Sequence, residues 1–296
     1  MGADDISFLC RVCGAKMSQV FGEYEDFPWH PLCAPDDACV PGTDETYFEL
    51  GLRETLTSII KWADNNATRS QQVMLGCSEI GDACDRKIAM TMVGLDQANY
   101  ETDPWPSIVG TAIHTWLETA MARYQEVHGV VEWLTEMEVW PSRWLPGHTD
   151  LYHRPTGTVL DLKNPSRTNF RKMMKDGIGD TYEVQIQAYG MGNVRAGRPV
   201  KRVGIVMLPR DGNLSEMRVL TRPYDPAVVE KAFGRIEGLA DLIEKLDLVN
   251  HPERWGQVSH APSRLCGWCK FYSPKVKPGL GGCPGKYGPE TDNLFT

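Results

Sequence analysis

The stretch from His148 to Lys163 constrains this chain more than any other. His148–His153 and Thr158–Lys163 are β-prone, and Arg154-Pro155-Thr156-Gly157 between them holds the proline and glycine of a turn. The spacing predicts a hairpin. Each arm carries an aspartate, Asp150 and Asp161, and Lys163 follows Asp161 by two residues. Side chains two apart on a strand face the same way, so Asp161 and Lys163 should converge on one point within reach of Asp150. Taken alone, Asp-x-Lys is more often a solvated hairpin edge. Here Val159-Leu160-Asp161-Leu162 reads as a buried strand, where an unpaired carboxylate is costly. Two carboxylates brought together suit a hard cation such as Mg²⁺ or Mn²⁺. An adjacent ammonium can hold a water or offset charge building on a phosphate.

The flanking segments supply more polar groups at regular spacing. From Ile108 to Tyr124, the residues Val109, Ala112, Ile113, Trp116, Leu117, Ala120, Met121 and Tyr124 recur at helical period. His114, in Gly110-x-x-x-His114, falls at the flank of that stripe, where a side chain can leave the core. Its plain alternative is a satisfied boundary histidine. Gln185-x-x-x-Tyr189 places two polar groups one turn apart on a helix expected over Thr181–Arg195. Further helices are expected at Glu45–Trp62, from a Ser78 cap to Met92 before Gly94, and from Asp225-Pro226 to about Val249. Strands are expected at Met137–Trp140, Val203–Leu208 and Met217–Leu220. This order predicts an α/β domain with a mixed central sheet. No Gly-x-Gly-x-x-Gly or Walker A pattern is present.

Gly110-Thr-Ala-Ile-His114, Gly147-His-Thr-Asp150, Asp161-Leu-Lys163 and Gln185-Ile-Gln-Ala-Tyr189 together resemble the RecB-like branch of the PD-(D/E)XK nucleases. The likeness covers roughly residues 75–285, although no proline precedes Asp150. It implies a restriction-endonuclease-like core in which His114, Asp150, Asp161 and the backbone carbonyl of Leu162 bind Mg²⁺ or Mn²⁺. Lys163 would assist attack on the phosphodiester, and Gln185 and Tyr189 would act near the DNA. The expected activity is that of a DNA exonuclease working on single strands or free ends, in recombination, repair or phage DNA processing. The alternatives are a structure-specific endonuclease on the same centre, a non-catalytic module with a degenerate nuclease fold, and a zinc-only interaction protein.

The nine cysteines are odd in number and include two Cys-x-x-Cys pairs, which points to metal sites in a reducing, cytoplasmic compartment rather than to disulfides. Cys266-Gly-Trp-Cys269 and Cys283 offer three thiolates in a Gly/Pro-rich tail, and Cys77–Arg86 offers a fourth. Four thiolates suit zinc or an iron–sulfur cluster, and spacing alone does not choose. One cysteine before the core and three after it resembles the iron–sulfur subset of the same branch, including the AddB nuclease domain and the CRISPR-associated single-domain exonucleases. That likeness implies a [4Fe–4S] cluster on Cys84, Cys266, Cys269 and Cys283, with Cys77 a buried free thiol. The cluster-binding segments would be about 77–86 and 262–285 of a nuclease domain over 43–296.

Residues 1–42 read as a separate small module. Cys10-x-x-Cys13 and His30-x-x-Cys33 match zinc-ribbon spacing, with Cys39 a substitute for His30. The plain alternative is a reduced flexible tail. Arg11 and Lys16 face seven acids within residues 1–40, so a protein contact is expected there rather than a phosphate contact.

Charge sharpens the same division. The net charge of −8 is made of −15 over residues 1–150 and +7 over 151–296. The basic half contains Arg167, Arg171, Lys172 and Lys175, directly after Lys163. A solvated face is the usual meaning of such a run, but beside a metal centre it suits a sequence-independent phosphate track. No apolar run approaches the roughly 18 residues of a membrane helix. The acidic start Met1–Leu9 has no basic signal-peptide region.

Overall fold

The computed structural model describes residues 8–9, 16–17, 44–66, 75–99 and 103–285. The chain divides into two compact units, Met1–Gln72 and Val73–Thr296. The first holds a two-residue antiparallel ladder between β1 (Phe8–Leu9) and β2 (Lys16–Met17), and helix α1 (Asp44–Asn65). Cys10, Cys13, His30, Cys33 and Cys39, the expected zinc ligands, lie outside the described residues.

The second unit is a mixed α/β fold. Its helices are α2 (Asp85–Val93), α3 (Trp105–His128), α4 (Arg167–Asp176), α5 (Gly179–Arg195) and α6 (Pro226–Leu246). Its strands are β3 (Trp133–Ser142), β4 (Leu145–His153), β5 (Thr158–Lys163), β6 (Arg202–Met207) and β7 (Arg218–Pro223), which form one sheet in that order. β5 and β6 pair parallel, while the other neighbours pair antiparallel. The parallel pair needs a crossover, and α4 and α5 supply it.

The sheet is covered on both faces, which explains the uninterrupted burial of β5. Val159 packs into the larger core with Ile186 of α5 and Ile236 of α6. Leu160 and Leu162 point the other way, where Ile113, Leu117 and Met121 of α3 pack on them. The apolar stripe expected on α3 is wider than the side the sheet covers: Trp116 is 68% exposed and Tyr124 59% exposed.

Element ends follow local chemistry. Asp225 caps α6 by accepting from the Ala227 N–H, with Pro226 in the first turn. Gly94 and Gly129 close α2 and α3 in the left-handed region. The expected start of α2 at Ser78 is corrected, because residues 77–81 form turns and Cys84 occupies the cap position. Asp82 stabilises this later start by accepting from the Cys84 N–H at 2.9 Å. Helix α4 was not anticipated. Its run of cations masks a short stripe, Phe170 and Met173, that packs on the core, and Ser166 caps it by accepting from Asn169. No helix among the described residues is long and apolar enough to cross a membrane.

Candidate metal centre

The hairpin of β4 and β5 forms as expected, but its ladder ends early. Leu151 pairs with Leu160, and one step further Asp150 turns its side chain into the gap. The Leu162 N–H donates to Asp150 Oδ2 at 2.6 Å. The carbonyl of the same residue meets His114 Nε2 at 3.1 Å, so Leu162 ties α3, β4 and β5 together through its two backbone polar groups. His114 reaches it because α3 lays Ile113 and Leu117 on the sheet, leaving the histidine at the edge of that contact.

Asp161 and Lys163 share a face of β5, as period-two geometry requires. Lys163 Nζ lies 2.7 Å from Asp161 Oδ2, and Asp161 is 2% exposed. From α5, Gln185 Nε2 donates to Asp161 Oδ1 at 3.2 Å and to the Tyr189 hydroxyl at 3.0 Å. Gln185 and Tyr189 are themselves buried, so they act on the aspartate from behind. Lys163 also lies 5.2 Å from the centre of the Tyr182 ring.

Glu136 was not expected at the site. It belongs to β3, between the pairs Thr135↔Leu151 and Met137↔Thr149 where the ladder skips the step facing Asp150, and sits at φ 45°. Its Oε1 is 3.8 Å from His114 Nδ1, while Asp150 Oδ1 is 3.5 Å from the same nitrogen. Ligand atoms of His114, Glu136 and Asp150 all lie within 4.8 Å of one another. A cavity of about 10 Å³, large enough for one small ion or water, is lined by His114, Glu118, Glu136, Asp150 and Leu162. Asp161 is not among the residues that line this cavity and is held by Lys163 and Gln185. The sequence signal for Glu136 was its place in a strand that extends back to Trp133, four residues before the expected start at Met137.

The electrostatics follow from this crowding. Asp150 and then Glu136 raise the His114 pKa to about 9, against a smaller opposing effect of burial. Burial pushes Asp161 up, and the Lys163 charge offsets part of that. For Lys163, burial lowers the pKa, but Asp161 and Asp150 outweigh it and hold the ammonium protonated. Burial also raises Tyr189 well above its ordinary range. The donor set fits a divalent cation in its chemistry, since His114, Glu136 and Asp150 offer one imidazole and two carboxylates within 4.8 Å of one another. Asp161 Oδ2, buried and otherwise without a hydrogen-bond partner, offers a further lone pair.

The basic stretch is divided in two. Arg167 is bound to Glu216, Nη1 to Oε1 at 2.6 Å, and donates to the Asp211 carbonyl at 3.0 Å. Arg171, Lys172 and Lys175 are exposed on α4.

The C-terminal cysteines gather beside α2. Cys84 and Cys283 both lie close enough to raise the Cys269 pKa, after the larger effect of burial. Cys269 N–H donates to the Cys266 carbonyl at 2.9 Å. Arg86, 4% exposed, points Nη1 at Cys283 Sγ from 3.9 Å. Cys77 lies elsewhere, in the main core, with its thiol pushed up to about 12 by burial. Among the described residues, no three thiols come within 4.8 Å of one another. A single tetrahedral zinc holds its four sulfurs roughly 3.8 Å apart. A larger cavity of about 480 Å³, walled chiefly by apolar residues such as Leu75, Met92, Trp144 and Ile236, contains none of the expected site residues.

No protein-family model and no curated protein matches the chain. Among solved structures it is similar to an alkaline exonuclease from Laribacter hongkongensis, with 12% identity and a TM-score of 0.38 over 62% of this chain and 95% of that one. It is also similar to a phage-related exonuclease from Haemophilus somnus 129PT, with 15% identity and a TM-score of 0.36 over 55% and 80%.

Proposed function

We propose that this chain is a divalent-cation-dependent nuclease of the RecB-like type that hydrolyses DNA from free ends. The observation that carries the reading is the three-residue segment Asp161-Leu162-Lys163. Its middle residue is bonded to both Asp150 and His114, and its outer residues form a buried ion pair. The sequence resemblance assigns the same residues to one centre.

His114, Asp150, Asp161 and the Leu162 carbonyl would hold Mg²⁺ or Mn²⁺. When bound, the cation polarises a phosphodiester and acidifies a water. Lys163, partly exposed and fixed by Asp161, presents a fixed positive charge to the phosphoryl oxygens as water attacks phosphorus and the P–O bond breaks. Gln185 and Tyr189 keep Asp161 oriented. Arg171, Lys172 and Lys175 on α4 offer the DNA backbone a charged approach, with no base-reading element among them.

We further propose that Cys84, Cys266, Cys269 and Cys283 hold a [4Fe–4S] cluster, which clips the segment before the core to the segment after it. The clustering of these four residues beside α2 supports the reading, and Arg86 supplies a cation for thiolate charge. The nuclease domain would begin near residue 43. The module before it would bind zinc through Cys10, Cys13, His30 and Cys33, contact a protein partner, and work in a reducing cytoplasm.

Digestion of linear and circular DNA in Mn²⁺ by wild type and Lys163→Ala tests the activity. Loss of linear-DNA digestion in the variant is expected, and equal rates would refute the mechanism. Cleavage of closed circles at the linear rate would replace exonuclease by endonuclease. Anaerobic purification with iron, sulfide and zinc analysis tests the cluster, and a colourless protein with stoichiometric zinc would overturn it.

A further inference from the structure

We propose that Glu136 is a direct ligand of the cation bound at His114 and Asp150. The resemblance to the RecB-like branch does not supply this carboxylate. The inference rests on the nuclease reading for the identity of the site, and on the geometry of β3 for the residue.

The His114 ring is engaged along both of its polar edges. Nε2 meets the Leu162 carbonyl at 3.1 Å, and Nδ1 faces two carboxylate oxygens, Asp150 Oδ1 at 3.5 Å and Glu136 Oε1 at 3.8 Å. An octahedral ion with ligands at about 2.1 Å keeps neighbouring ligands about 3.0 Å apart and opposite ones about 4.2 Å apart. The Nδ1 distances fall between those limits, so small side-chain adjustments would close the three groups on one ion. The cavity they line is of single-ion size.

The placement of Glu136 is held by the fold. β3 and β4 keep one register from Trp133↔His153 to Val139↔Gly147, which puts Glu136 opposite Asp150. Two carboxylates directly across an antiparallel pair repel each other, and a non-glycine residue at φ 45° is uncommon inside a strand. Glu138, two residues on, is exposed and accepts from the Trp140 indole N–H at 2.8 Å, away from the centre. It serves as the neighbouring acid without the contact.

The test is Mn²⁺ binding to the full-length protein, read from the electron paramagnetic resonance of free Mn²⁺, together with metal-free thermal melting. Glu136→Gln should weaken Mn²⁺ binding at least about tenfold. Glu138→Gln should bind as wild type does. Metal-free Glu136→Gln should fold and melt cooperatively close to wild type, since it loses both a like-charge neighbour of Asp150 and an ion-pair partner of His114. If Glu136→Gln fails to fold, Glu136→Asp, which withdraws the carboxylate by one methylene, should show the same weakening. Wild-type Mn²⁺ affinity in the folded Gln or Asp variant would overturn the assignment. A wild type that binds Mn²⁺ through Glu136 yet leaves linear DNA intact would instead overturn the nuclease reading and leave the ligand in place.

Discussion

Gln185 donates one amide group to both Asp161 Oδ1 and the Tyr189 hydroxyl, from inside the core and behind the aspartate. The pair therefore fixes the orientation of Asp161, the carboxylate that also holds Lys163. Gln185→Met removes the donor at similar volume and should weaken Mn²⁺ binding by about 10–100-fold while leaving KM for DNA nearly unchanged. Tyr189→Phe keeps the ring packing and should cost about 1 kcal/mol of stability with a smaller effect on the metal. Mn²⁺ titration of activity at saturating DNA separates these outcomes. A rise in KM with unchanged metal dependence would assign both residues to DNA contact.

Lys163 neutralises a buried carboxylate, so Lys163→Ala has a stability signature besides its catalytic one. The variant should lose about 10²–10³ in kcat. It should also melt lower than wild type at pH 8, where Asp161 must stay ionised without a partner. The deficit should shrink towards pH 5, because burial holds the Asp161 pKa above the ordinary carboxylate range and a proton can replace the ammonium. Melting curves at the two pH values give the answer, and a deficit independent of pH would reject the pairing.

With its pKa at about 9, His114 would release a proton if it bound the proposed cation. Metal needs the neutral ring, so Mn²⁺ affinity should rise with pH up to about 9, approaching tenfold per unit where His114 supplies the proton. In the metal-free protein the sign is opposite. A raised folded-state pKa contributes stability that is complete below about 6.5 and is lost as pH passes 9. Calorimetric titration in buffers of different ionisation enthalpy counts the released protons, and His114→Gln should remove about one of them.

Gly147 is fixed by close packing. A Cβ there would lie 2.6 Å from Cys77 Sγ and 3.0 Å from the Tyr189 ring. Gly147→Ala should cost about 1–3 kcal/mol through overpacking. Adding Cys77→Ala should recover part of that cost, because the nearest clashing atom is then gone. Denaturant unfolding of both singles and the double closes the cycle, and strict additivity would refute the contact.

Arg171, Lys172 and Lys175 should carry the salt dependence of DNA binding. Each neutralisation should reduce the slope of log K against log salt by about 0.7–0.9. Arg167→Gln should change it least, because Glu216 already holds that guanidinium. Binding isotherms in Ca²⁺ at three salt concentrations test the ranking, and an equal effect of Arg167 would place it on the DNA.

Much of the centre was legible because short-range periodicity generates it. Asp161 and Lys163 meet by the two-residue repeat of a strand, and Gln185 and Tyr189 by the four-residue repeat of a helix. The β4–β5 hairpin was visible in Pro155 and Gly157, and the mixed sheet in the order of elements. Helix α4 was hidden because its cations outnumber the two apolar residues that anchor it.

Glu136 could not be found from local pattern. Its partner Asp150 is fourteen positions away, and only the register between two strands sets them opposite each other. The same holds for Leu162, whose two backbone groups bond to elements 12 and 48 residues away. By itself the sequence determined which residues share a strand face or a helix turn, since one chain segment settles both. Tertiary structure decided which face of each strand looks towards His114, that Gln185 and Tyr189 stand behind Asp161, and that a third acid, Glu136, comes beside His114. Those choices depend on burial and strand register, which arise only when distant segments pack.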